Sequence, residues 1–148
     1  MAEPIVVERR IAAEPSVVYS YLTDSERWAR WQGESAIIDA TPGGMFGLVM
    51  GNGMRVRGEF VELVPGRRVV FTWGWVDHSG LPPGTSKVEI DLVEEDGGTR
   101  LTLTHIGVPD DEIGPHVAGW NTYLPRLQAL AEGGDPGPDP GDSEQPLV

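Results

Sequence analysis

The sequence predicts an α+β domain in which a curved antiparallel sheet of six to seven strands wraps around one long C-terminal helix. Three observations lead there. Between residues 34 and 107 apolar side chains recur at every second position, interrupted at Gly-, Asn- and Pro-containing turns. One β-branched strand and two short helical segments precede that region. A single long amphipathic stretch follows it, and only this stretch has enough apolar face to cover a sheet.

Ile5-Val6-Val7-Glu8-Arg9-Arg10-Ile11 is rich in β-branched residues and reads as a strand. Glu14-Pro15-Ser16 places proline at a first helical position, and Val18, Tyr21 and Leu22 share one side of that short helix. Asp24 is the expected cap of a second short helix, Ser25 to Arg30, with Trp28 and Trp31 on one side. Phe46, Leu48 and Met50 then alternate up to the hairpin turn Gly51-Asn52-Gly53. Met54 to Leu63 form the next strand, with Val56 in it, up to the turn Val64-Pro65-Gly66. Val69, Phe71, Trp73 and Trp75 occupy one strand face, and Pro82-Pro83-Gly84 marks a loop. Val88, Ile90 and Leu92 alternate with charged residues up to Asp96-Gly97-Gly98. Leu101, Leu103 and His105 face inward from the last strand. The closing helix, about Asp110 to Ala131, carries Ile113, Val117, Trp120, Leu124 and Leu127 at helical spacing. Its acidic first turn suits the helix dipole, and a bend is expected at Pro125.

The domain is expected to span residues 1–132. Residues 133–148 hold eight Gly or Pro and four acidic residues, a composition that cannot bury enough apolar surface to fold, so they read as a disordered acidic tail. The formal net charge is -12, which disfavours nucleic acid and anionic membrane surfaces. There is no cysteine, so disulfides, thiolate nucleophiles and Cys-ligated metals are excluded. No stretch approaches the roughly 20 apolar residues of a membrane helix, and Met1-Ala2-Glu3-Pro4 has no basic n-region. A cytoplasmic protein is expected, with no cofactor. His78, His105 and His116 show no metal-ligand spacing, so no metal site is expected either.

Several separated stretches carry a family resemblance. They are Ala13-Glu14-Pro15-Ser16-Val17-Val18, Trp28-Ala29-Arg30-Trp31, Pro42-Gly43-Gly44-Met45-Phe46, the run from Gly58 to Trp73, Thr99 to His105, and Gly119-Trp120-Asn121-Thr122-Tyr123-Leu124. Together they resemble the helix-grip, START-like (SRPBCC) superfamily and, within it, the family named after the activator of Hsp90 ATPase. The resemblance implies a cavity between sheet and helix and a lipid- or polyketide-like ligand. It does not extend to Hsp90 activation, because the eukaryotic co-chaperone engages the chaperone through a further N-terminal domain.

The candidate ligand-binding residues are Trp28, Trp31, Phe46, Leu48, Met50, Met54, Val56, Phe71, Trp73, Trp75, His105, Trp120 and Leu124. Five tryptophans can line a pocket for a flat or greasy ligand, or serve as core. Met45, Met50 and Met54 around one hairpin suit an adaptable pocket mouth, or simple gap filling. His105 is the one candidate for acid–base work, against an ordinary core histidine, whereas His78 and His116 are expected at the surface. Arg9 shares the parity of Ile5, Val7 and Ile11, and a β-bulge that turns it outward is the favoured reading. No GxSxG elbow and no phosphate-binding loop is present. The leading expectation is a binder of a small hydrophobic molecule, with homodimerisation left open. A cyclase- or hydrolase-type enzyme using His105, and a co-chaperone-like interaction module, are the alternatives.

Overall fold

The computed structural model describes residues 3–76 and 80–140. In chain order the elements are β1 (Ile5–Ile11), α1 (Pro15–Ser20), α2 (Ser25–Trp31), β2 (Ser35–Ile38), β3 (Met45–Val49), β4 (Arg55–Val64), β5 (Arg68–Trp73), β6 (Ser86–Glu95), β7 (Gly98–Ile106) and α3 (Asp110–Ala131). The strands form one antiparallel sheet in the order β1-β7-β6-β5-β4-β3-β2. The first strand therefore pairs with the last, and α1 and α2 carry the chain from one sheet edge to the other.

Alternation decides which face is buried. Val69, Phe71 and Trp73 on β5, Val88, Ile90 and Leu92 on β6, and Leu101, Leu103 and His105 on β7 all point into the core. The opposite face keeps its charges, such as the group around Arg68, which contacts Glu62, Glu89 and Asp91. The pairing of β4 with β5 shifts register between Phe60 and Glu62, a bulge that adds local bend and twist. Trp75 lies beyond the end of β5 but keeps its place on the inner face by bridging to Val56. Across the concave face runs α3, which packs on β1, α1 and α2 and buries Trp120, Tyr123, Leu124 and Leu127. The helix continues through both Pro115 and Pro125.

Three expectations are corrected. Asp24 stands at the N-cap of α2 but makes no capping hydrogen bond through its side chain. Arg9 is not turned outward: β1 pairs with β7 without a register break, so Arg9 keeps its inward parity. Its Nε and Nη2 donate to Gln128 Oε1 at 3.0 and 2.8 Å. Gln128 lies in the last turn of α3, where the helix dipole favours a cation, so a neutral amide suffices as partner.

The third correction concerns the C-terminal segment. Residues 133–140 are held in place, while residues 141–148 lie outside the described residues. Gly133, at φ +96°, ends α3 with its N–H on Leu130 O at 3.0 Å, and Gly134 N–H reaches Ala129 O at 2.7 Å. Beyond them, Asp139 accepts from Tyr123 and Gly33, and Arg126 donates to the carbonyls of Pro136 and Gly137. Apolar content was the wrong measure for a segment fixed by polar contacts.

At Gly58 the β4 backbone lies too close to β5 to admit a side chain. A Cβ on Gly58 would sit 1.9 Å from the Thr72 carbonyl oxygen of the neighbouring strand. Gly58→Ala is therefore expected to lower stability by about 2 kcal/mol or more, read by urea unfolding. An unchanged midpoint would show that β4 and β5 separate there at little cost.

Candidate ligand-binding site

The site begins with inward positions on four elements. β3 contributes Phe46, β5 contributes Phe71 and Trp73, α2 contributes Trp28 and Trp31, and α3 contributes Trp120. Their rings form a continuous spine. Trp31 lies 4.9 Å from Trp28, Trp28 lies 5.0 Å from Phe46, Phe46 stacks on Phe71 at 4.2 Å, and Phe46 lies 6.0 Å from Trp73. At its far end Trp73 meets Trp120 at 5.0 Å, Trp75 at 5.7 Å and His105 at 5.8 Å. Edge-to-face and offset contacts of this kind suit the ring quadrupoles.

Two buried histidines complete the deep end, with ring centroids 5.4 Å apart. Trp120 Nε1 donates to His105 Nδ1 at 3.1 Å, which makes Nδ1 the unprotonated nitrogen. His105 Nε2–H therefore donates to Ser86 Oγ at 2.9 Å, and Ser86 donates onward to Trp73 O at 2.7 Å. The second pair follows the same logic. Trp75 Nε1 donates to His116 Nε2 at 3.0 Å, and His116 Nδ1–H donates to Glu112 O at 2.8 Å. Burial, reinforced by the neighbouring His116, holds the His105 imidazole well below its usual pKa and so neutral. Its basic lone pair is occupied by an indole N–H, the reverse of the polarity in a Ser–His dyad.

Trp73 Nε1 is different. Among the described residues it is the buried side-chain polar atom with no hydrogen-bond partner. The ring that carries it lies at the junction of Phe46, Phe71, Trp75, Trp120 and the two imidazoles.

Of the thirteen sequence-selected residues, all but Met54 are buried in one core, and Met54 packs against it partly exposed. His116, expected at the surface, is 1% exposed and belongs to the cluster. Its signal was its spacing, since it stands four residues before Trp120 and eight before Leu124 on α3. Glu112, read only as part of an acidic helix start, is also buried, with Oε1 4.0 Å from His116 Nδ1. His78 lies outside the described residues. No group of acidic or histidine side chains among the described residues is arranged to hold a metal. The rings fill the space between sheet and α3. Three depressions of about 60, 610 and 290 Å³ lie elsewhere, and none includes Trp73, His105 or Trp120. Among the described residues, no helix is long and apolar enough to cross a membrane.

A seven-stranded antiparallel sheet closed by one long helix over an aromatic interior defines the helix-grip class. The chain belongs to the family described as Activator of Hsp90 ATPase homolog 1-like protein, whose model matches residues 12–132. It is 28% identical over 120 residues to the human activator of 90 kDa heat shock protein ATPase homolog 1, covering 80% of this chain and 34% of that protein. The chain thus spans about a third of the length of that relative. The solution structure of an AHSA1-like protein from Rhizobium etli is similar at 43% identity and TM-score 0.72, covering 97% of this chain and 91% of the other. The crystal structure of DynU16, a protein of the dynemicin biosynthetic locus, is similar at 25% identity and TM-score 0.79, covering 92% of this chain and 49% of the other.

The neutral His105 gives a pH signature. Unfolded histidine binds a proton below pH about 6.5, whereas His105 in the fold does not, so stability is full above that pH and falls below it. Lowering the pH from 7.5 to 5.5 should destabilise the fold through this residue, seen as a lower urea midpoint. A His105→Gln variant should show a correspondingly flatter profile. A midpoint independent of pH over this range would mean that His105 takes up its proton alike in the folded and unfolded chains.

Proposed function

We propose that the protein binds a small, neutral, hydrophobic or aromatic ligand carrying a hydrogen-bond acceptor, between the sheet and α3. The observation that carries this reading is the buried, unpartnered Trp73 N–H at the meeting point of the rings. Leaving a buried donor unmade costs about 1–3 kcal/mol, and a ligand carbonyl, ether or phenol oxygen placed there would recover it. The lining comes from the sequence-selected set, with Trp75, Trp120 and His105 around Trp73 and with Met50 and Met54 adaptable enough to shift. Entry requires the rings to move apart, since they fill the interior. The likeness to a protein of a biosynthetic locus supports a small-molecule ligand. The polarity of the His105 hydrogen bonds supports binding over acid–base chemistry.

A second reading, a protein-interaction module, is favoured by the filled interior together with exposed Ile37 (62%) and Met45 (40%) beside Gly47 on the β2–β3 edge.

Titration with 2-acetylnaphthalene and with 2-ethylnaphthalene, followed by tryptophan fluorescence, separates these readings. The two probes differ in one acceptor. The ketone should bind about 2- to 13-fold more tightly, the value of one neutral hydrogen bond. Trp73→Phe should abolish that preference. Equal affinities in the unsubstituted protein would remove the acceptor from the proposal, and no saturable binding of either probe would leave the interaction module as the better reading.

A further inference from the structure

We infer that residues 133–140 are a latch over the Trp31 end of the ring spine, whose release admits and discharges the ligand. This rests on the ligand-binding reading above.

The segment is fastened at two points after it leaves α3. The first is Arg126, whose Nε donates to Trp31 O at 3.0 Å while Nη1 and Nη2 reach Pro136 O at 3.1 Å and Gly137 O at 2.7 Å. One guanidinium thus joins the end of α2 to the segment. The second is Asp139, whose carboxylate accepts from Tyr123 Oη at 2.8 Å and from Gly33 N–H. Asp139 also lies against the β3–β4 turn, since a Cβ on Gly51 would be 3.1 Å from its Oδ1. The segment therefore ties together α3, the end of α2 and the hairpin turn.

Beneath these contacts Trp31, Gly33, Met50 and Tyr123 are buried. Trp31 opens the spine that runs through Trp28 and Phe46 to Trp73. The segment itself, Gly133-Gly134-Asp135-Pro136-Gly137-Pro138-Asp139-Pro140, is mostly exposed and has no large apolar side chain besides proline. Its prolines limit the freedom it gains on release, and polar contacts at two points hold it. Such a piece can open without unfolding the core, as locally unstable segments at binding sites do. A plain end-cap of α3 would need only Gly133 and Gly134; the reach to α2 and to the β3–β4 turn is what makes this segment a closure.

Two measurements test the latch on the full chain, on Asp139→Ala and on a chain truncated after Gly134. Indole N–H exchange by NMR reads local opening. Trp31 (bonded to Tyr21 O) and Trp28 (bonded to Gln32) should exchange about tenfold or more faster in both variants, with Trp120 within about twofold. Stopped-flow with 2-acetylnaphthalene reads access. Association and dissociation should both accelerate by about threefold or more, leaving Kd within about twofold, because a latch changes rates and not the bound contacts. Unchanged Trp31 exchange, or equal acceleration of all three indoles, overturns the latch. Intact binding with unchanged rates overturns the latch alone. Absence of saturable binding in every form overturns the ligand reading and the latch's role with it.

Discussion

Burial keeps the His105 imidazole neutral, 5.4 Å from the ring of His116, and much of the interior follows from that constraint. A neutral buried imidazole has one nitrogen that needs a donor, and a dry core has few donors to offer. Tryptophan supplies an N–H together with a large apolar body. The two pairs are also crossed. Trp120 on α3 donates to His105 on β7, and Trp75 beside the sheet donates to His116 on α3. Each pair stitches helix to sheet in the opposite sense, so α3 is held in register by directed bonds as well as by its apolar stripe. Two donors are matched to two acceptors, and Trp73 Nε1, among the same rings, has none left to meet. Among the described residues, this one buried side-chain donor without a partner therefore arises from the arrangement that satisfies its neighbours.

Legibility followed the same division between pattern and partner. The alternation of Val69, Phe71 and Trp73, and of Leu101, Leu103 and His105, made the inner face readable, because strand parity is fixed by the backbone. The start of α3 was readable from its acidic first turn and its course from the apolar spacing through Leu127. His116, near the start of α3, was readable too, since its spacing from Trp120 and Leu124 puts it on the buried stripe. Arg9 was readable from parity alone, and the bulge expected to turn it outward is absent because the last turn of a helix can accept a guanidinium. Whether rings fill a space or line it depends on volumes that no sequence period encodes.

The segment after α3 is the clearest case of composition misleading. Gly, Pro and Asp cannot build a core, and here they do not. They borrow order from side chains on elements already folded, above all Arg126 and Tyr123 on α3. Arg126 sits two residues from Leu124 and one from Leu127, at the border of the buried stripe, so its guanidinium can serve both α2 and the chain end. A donor placed at such a border is the sequence feature from which docking of the segment could have been suspected.

Charge narrows the kind of molecule such an interior can take. The protein carries a formal charge of -12, so an anionic ligand approaches against the field. The two imidazoles spend their accepting nitrogens on indole donors, and their remaining N–H groups on Ser86 and on a backbone carbonyl. Neither can become an imidazolium to receive an anion without breaking a bond that joins helix to sheet. A cationic ligand would find attraction outside but, at the deep end, would face the donor N–H of Trp73, while the buried Glu112 carboxylate stands beside His116. A neutral ring system with one acceptor oxygen meets neither obstacle. Under the proposed reading it would lose little on leaving water, gain dispersion contacts along the spine, and meet the Trp73 N–H, which is unpartnered among the described residues.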